Sequence, residues 1–220
     1  MFGCLFRIIQ GFIVLALAGA LAYFGVPWVE GEFAKTDRLP TVTKKTVANA
    51  SVGDPFLVSG KVSKKNKVHE NGLVLGRREI EEESTIREND KVRHVKVWRT
   101  EHGFGDRILI FTHAGLAKIT WDGIGDVEFD GKDVDVRKGD KRWIGVKVGS
   151  DVTNYATLSS KKPLTFAGSK SVFIGTAAQY KASSKESGKE VVWTVYIIAA
   201  FIGVIGACLI VSAPFRRKSS

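Results

Sequence analysis

Cysteine is almost absent from this chain: Cys4 and Cys208 are its only two, and both lie in or beside long apolar runs near the ends. The stretch between those runs has no thiol, which excludes a disulfide framework and a thiolate metal site there. It also removes any redox evidence about compartment, since a cysteine-free domain merely tolerates an oxidising space. No Gly-x-Ser-x-Gly elbow is present, so a hydrolase triad has no motif to rest on. Gly103-Phe104-Gly105 lacks the third glycine and the helix of a dinucleotide fingerprint and reads as a hairpin loop. The four histidines, His69, His94, His102 and His113, lack the short spacings of zinc ligands, although His94 and His102 would meet across a hairpin folded between them. Asp122, Asp126, Asp130, Asp133 and Asp135 are closely spaced, but the ligand order of an EF-hand is missing and turn aspartates are the better reading. Basic residues are interspersed with acids, as in Arg77-Arg78-Glu79 and Glu81-Glu82-Glu83, and form no stripe with stacking aromatics, which argues against nucleic acid as a partner. These residues call for no cofactor, no metal and no catalytic group. Nor is there an internal repeat.

Charge is absent from Ile8 to Val29, 22 positions between Arg7 and Glu30, and again from Val191 to Pro214, 24 positions entered from Lys189-Glu190. A bilayer is crossed by about 20 apolar residues rising 1.5 Å each, so both runs are long enough to span. Trp28 closes the first run and Trp193 and Tyr196 open the second, where amphipathic rings favour the headgroup level. The first run also has features of a cleavable signal peptide, with the small-residue patterns Ala16-Leu17-Ala18 and Ala20-Leu21-Ala22. It continues past them to Trp28, which favours a retained anchor, and no lipoprotein-type cysteine follows. Arg7 and the tail Arg216, Arg217 and Lys218 place both ends on the cytoplasmic side and the middle of the chain outside it, in a periplasmic, lumenal or intermembrane space; Lys35, Arg38, Lys44 and Lys45 on the other flank weaken that bias. Ala199, Gly203 and Ala207 recur every four residues, as do Ala18 and Ala22, and small residues at that spacing let helix backbones approach. The two helices are thus expected to pack on each other or on another subunit.

Between Glu30 and Glu190 stand 29 of the 33 Lys+Arg and all 23 Asp+Glu, a formal charge of +6 that suits solubility or anionic headgroups. Residues 30–49 show little periodicity and read as a linker that would pair as an edge strand. Residues 50–180 alternate in short runs. Phe56, Val58, Gly60 and Val62 share one face, and further runs follow at Leu73–Glu81, Val92–Arg99, Arg107–Phe111, Leu116–Trp121, Asp126–Phe129, Trp143–Val148, Asn154–Leu158 and Ser171–Ala177. Turn signals such as Asn71-Gly72, Asp122-Gly123 and Lys138-Gly139-Asp140 separate them. No sustained helical period occurs here, and the acidic run Glu79–Asp90 reads as a solvated hairpin tip. Residues 181–190 are small and polar and read as a flexible tether into a second membrane helix at 191–214, with a basic tail at 215–220. The fold class predicted is an all-β soluble domain, a barrel or sandwich, flanked by two transmembrane α-helices, the first within residues 1–29.

Gly53-Asp54-Pro55-Phe56-Leu57-Val58-Ser59-Gly60-Lys61-Val62, Leu75-Gly76-Arg77-Arg78-Glu79-Ile80-Glu81-Glu82, the stretch from Ile108 to Ile119 and Phe173-Ile174-Gly175-Thr176-Ala177 occur in an order that resembles the GIDE/MULAN-type membrane protein family. That resemblance implies a β-rich domain between two transmembrane helices. The family's eukaryotic members add a RING finger after the second helix; two membrane-associated cysteines cannot build one, so ligase activity does not carry over. The function expected is a membrane-tethered interaction or scaffold protein with lipids and protein partners, or further copies of itself, around it. An accessory subunit of a larger membrane complex is one alternative. An enzyme or metal-dependent sensor built on the histidine and aspartate turns is the other.

Overall fold

The computed structural model describes residues 2–88, 91–122, 127–131 and 135–212, and for residues 2–5, 7 and 88 the backbone alone. Contacts divide the chain into two units, Met1–Arg38 with Lys181–Ser220, and Leu39–Tyr180.

The first unit is helical. Helix α1 (Phe2–Ala20) runs through a π turn at Leu21–Gly25 into α2 (Val26–Arg38). Pro27 accounts for the π turn, because it has no N–H to give and its ring crowds the carbonyl one turn back. The second arm of this unit belongs to a 36-residue helix, Ala177–Ser212, numbered α4 in chain order. Residues Ile8–Arg38 and Ala177–Ser212 are both long and apolar enough to cross a membrane. Their close approaches run antiparallel: Gly11 with Ile210, Leu15 with Gly206, Ala18 with Gly203, Gly25 with Val195 and Phe33 with Gly188. Beyond the apolar stretch the ammonium of Lys181 donates to the Asp37 carbonyl at 2.7 Å.

Two expectations are corrected here. Residues 181–190 are not a flexible tether but part of α4, and residues 30–38 of the expected linker continue α2. Extending a helix already nucleated in an apolar run requires only one more hydrogen bond per residue fixed, so polar composition alone does not end it.

The second unit is a closed barrel with an attached sheet. Its strands are β1 (Pro55–Val62), β2 (Leu73–Glu88), β3 (Lys91–Phe104), β4 (Arg107–Thr112), β5 (Gly115–Thr120), β6 (Glu128–Gly131), β7 (Asp135–Lys138), β8 (Lys141–Lys147), β9 (Asp151–Lys161) and β10 (Leu164–Ile174). The barrel follows the order β5-β4-β1-β9-β10, and a parallel β5–β10 pairing closes it. Closure removes the free edges that an open sheet of this size would present. Alternation decides what lies inside: Ile108 and Ile110 of β4 sit beside Ile119 and Ala117 of β5, and all four are buried. Phe56 and Phe166 meet edge to face at 5.7 Å across the interior. Side chains of this size contribute about 1.5–3 kcal/mol each on full burial.

Strand β10 changes parallel neighbour part-way along. Thr165–Ala167 pair with β5 and Ser171–Ile174 with β6, and the β9 register shifts between Gly168 and Val172. The carbonyls freed there are recaptured: the Trp121 indole donates to Ser169 O at 2.7 Å and the Asn154 amide to Ser171 O at 2.6 Å. Gly168 is required because a Cβ would lie 2.5 Å from the Trp121 indole nitrogen. The remaining strands form a four-stranded sheet, β3-β2-β8-β7. Within the expected linker, Thr41 and Thr43 make single bridges to Leu57 and His113, and Lys44–Asn49 forms a short helix, α3, with Thr43 and Thr46 closing a reciprocal cap.

Candidate functional site

The two longest strands of the β unit, β2 and β3, extend into a two-stranded arm. Strand β2 pairs with β8 only as far as Ile80, opposite Lys141, whereas its pairing with β3 continues to Glu88 opposite Lys91. Residues beyond Ile80 therefore form a ribbon with no third strand among the described residues, and such ribbons are marginal by themselves. The acidic run from Glu79 falls on this hairpin; Asn89 and Asp90 lie outside the described residues.

The root of the arm is held by a buried charge cluster. Glu79 is 3% exposed; Arg77 donates to one carboxylate oxygen at 2.6 Å and Arg142 to the other at 2.5 Å. Arg77 also donates to Val127 O at 2.9 Å. The Arg142 and Arg137 guanidinium carbons stand 4.6 Å and 5.5 Å from the centre of the Trp98 ring. Beside it, the Trp143 indole donates to Glu70 at 2.7 Å, and Arg78 bridges Glu70 and Glu101. The Trp143 hydrogen bond, with help from the Arg78 charge, holds the Glu70 carboxyl below its ordinary value of 4.5 against a weaker opposing effect of burial.

Farther out most of the described residues of the arm are exposed. Lys96 pairs with Glu81 at 3.0 Å and Arg99 with Glu82 at 3.3 Å, exposed contacts that water and salt screen. Ile86 is 48% exposed, Val92 58% and Val97 37%. Register puts Val97 opposite Glu82, Val95 opposite Ser84 and Arg93 opposite Ile86, so one face of the ribbon carries an apolar line between charges.

The residues singled out in the sequence are dispersed. His94 and His102 stand on the same strand, opposite Thr85 and Arg78, so the pairing across a hairpin does not form. The His69 ring lies 5.4 Å from Phe104, and His113 bridges to Thr43. Among the described residues no group of three or more His, Cys, Asp or Glu is placed to hold a metal ion. Asp126 and Asp133 lie outside the described residues, as do Arg216, Arg217 and Lys218.

In the helical unit Ala18 and Ala199 are buried, Gly203 approaches Ala18, and Ala22 is half-buried. Ala207 is exposed; its neighbour Gly206 is the buried residue, where a Cβ would lie 3.0 Å from Gly11 O. Between α1 and α4 the close approach is thus made by Gly206 and, opposite it, Gly11, a residue the four-residue spacing does not pick out. What the fold defines is a barrel-and-sheet unit carried between two long apolar helices. Comparison of the chain with protein-family models, curated proteins and solved structures gives no match.

Proposed function

We propose that the protein is a membrane-tethered interaction scaffold, anchored by its two apolar helices, that offers the β2–β3 arm to a protein partner. The observation that carries this reading is the arm itself: a ribbon rooted on a buried ion cluster and extended past its sheet, with apolar and charged residues left to solvent. The outer edge of β3 bears Lys91, Arg93, Lys96 and Arg99, which suits an acidic segment adding as a further strand. The GIDE/MULAN-type resemblance points the same way, since it implies a β-rich domain between two membrane helices. The charges at the chain ends favour an extracytoplasmic position for the β unit.

The test is to replace Glu82–Val97 by a two-residue Asn-Gly turn in the full chain. Circular dichroism and thermal midpoint should hold, because the root and barrel are untouched. The mass of the complex recovered after mild detergent extraction should fall to that of the lone chain. An undiminished complex would place the contact elsewhere.

A further inference from the structure

The outer face of the barrel carries a cavity of about 740 Å³ that the arm does not use. Arg107, Leu109 and Lys118 point outward because they alternate with the buried Ile108, Ile110, Ala117 and Ile119, and Leu109 pairs directly with Lys118. Lys65 and Lys67 come from the turn after β1. That turn is clamped on β4 by Asn66, whose side chain treats Leu109 as a strand partner would: its amide donates to Leu109 O at 2.8 Å, and its oxygen accepts from Leu109 N at 2.7 Å. The Ser63 N–H donates to the same carbonyl at 2.9 Å. On the far side the cavity is bounded by His69, whose ring lies tilted against that of Phe104, and by the bare backbone of Gly103 and Gly105.

Charge in this cavity is one-sided. Three lysines and an arginine line it against a single carboxylate, Asp106, which lies 3.9 Å from Arg107 in a solvent-exposed contact. Lys65, Lys67 and Lys118 have no carboxylate partner among the described residues, although acids are interspersed with bases over the rest of the domain. A single carboxylate ligand would leave most of these cations uncompensated, whereas a phosphate ester brings up to two charges and three acceptor oxygens. The volume is that of a site for a whole small molecule and exceeds what an inorganic ion fills.

We infer that this groove binds a phosphate ester, as a soluble phosphorylated molecule or as a lipid headgroup, with Lys65, Lys67, Arg107 and Lys118 as its cationic ring. It is independent of the arm.

The test uses the full chain in phosphatidylcholine nanodiscs, titrated calorimetrically with inositol hexakisphosphate and with unphosphorylated inositol. In parallel it is floated with phosphatidylcholine vesicles that contain or lack phosphatidylglycerol. Binding to the phosphorylated probe alone assigns the soluble source, and flotation with the anionic vesicles alone assigns the headgroup; either supports the site. Lys65→Gln/Lys67→Gln/Lys118→Gln should weaken whichever binding is seen by roughly tenfold or more. A matched change on the arm, Lys91→Gln/Arg93→Gln/Lys96→Gln, should leave it unchanged, and Asp106→Asn should tighten it. Absence of binding to both probes, equal weakening by the two triple variants, or weakening by Asp106→Asn would overturn the inference.

Discussion

Glu79 is the residue on which the arm depends. It neutralises two guanidinium groups in a site it shares with the Trp98 ring, so its removal leaves two cations facing each other with little solvent. Glu79→Ala should destabilise the β unit by about 3 kcal/mol, read as a shift in the denaturation midpoint, because breaking one partner of a buried ion cluster strands the others. Glu70 acts differently, being close to solvent and held below its ordinary value mainly by the Trp143 hydrogen bond. A carboxylate with a depressed folded-state value contributes stability above its unfolded value and loses it as pH falls through the folded one. Glu70→Gln keeps an acceptor for Trp143 but cannot titrate. Its thermal midpoint should therefore fall less steeply than the parent's below pH 4.5; parallel slopes would remove Glu70 from the acid response. Neither role could be read from the sequence. Glu79 looked like one member of an acidic run, and only the register of β2 against β8 turns it inward opposite Arg142.

At the scale of elements, Gly206 and Ala207 make a direct comparison. Gly206→Leu should force α1 and α4 apart and cost about 1–2 kcal/mol of their association, while Ala207→Leu should cost nothing. Disulfide trapping between Ala18→Cys and Gly203→Cys, with Cys4 and Cys208 replaced by serine, would report it as a lower cross-linking yield in the Gly206→Leu background. Ala207 leaves the α1 contact for a geometric reason: two steps of four from Ala199 turn the helix about 80° past its starting face, whereas seven residues, to Gly206, return within about 20°. Strands β1, β4, β5 and β8 were legible because one face of each is buried and the apolar residues alternate or run together accordingly. The first half of β10 was not, since Gly168, Ser169 and Lys170 interrupt the pattern where the strand changes neighbour. Strand β7 has four residues, of which only Val136 is apolar, too few for any period to register.

For the whole molecule the decisive measurement is topology. Protease added outside intact cells or organelles should remove the β unit and spare an epitope placed after Phe215; loss of that epitope with the β unit protected would reverse the orientation. The helical pairing also has a consequence for folding. Leu39–Tyr180 leaves one helix and returns to another that lies antiparallel to it, with Lys181 bonded to Asp37 where the excursion begins and ends. While the helices stay together, this long segment unfolds as a closed loop instead of a free chain. In the chain-entropy account a crosslink around a loop of that order removes about 5 kcal/mol of unfolded-state entropy. The apolar helices thus act on the β unit as a disulfide would, in a chain whose two cysteines cannot supply one there, and the excised domain should be measurably less stable than the same domain in its membrane.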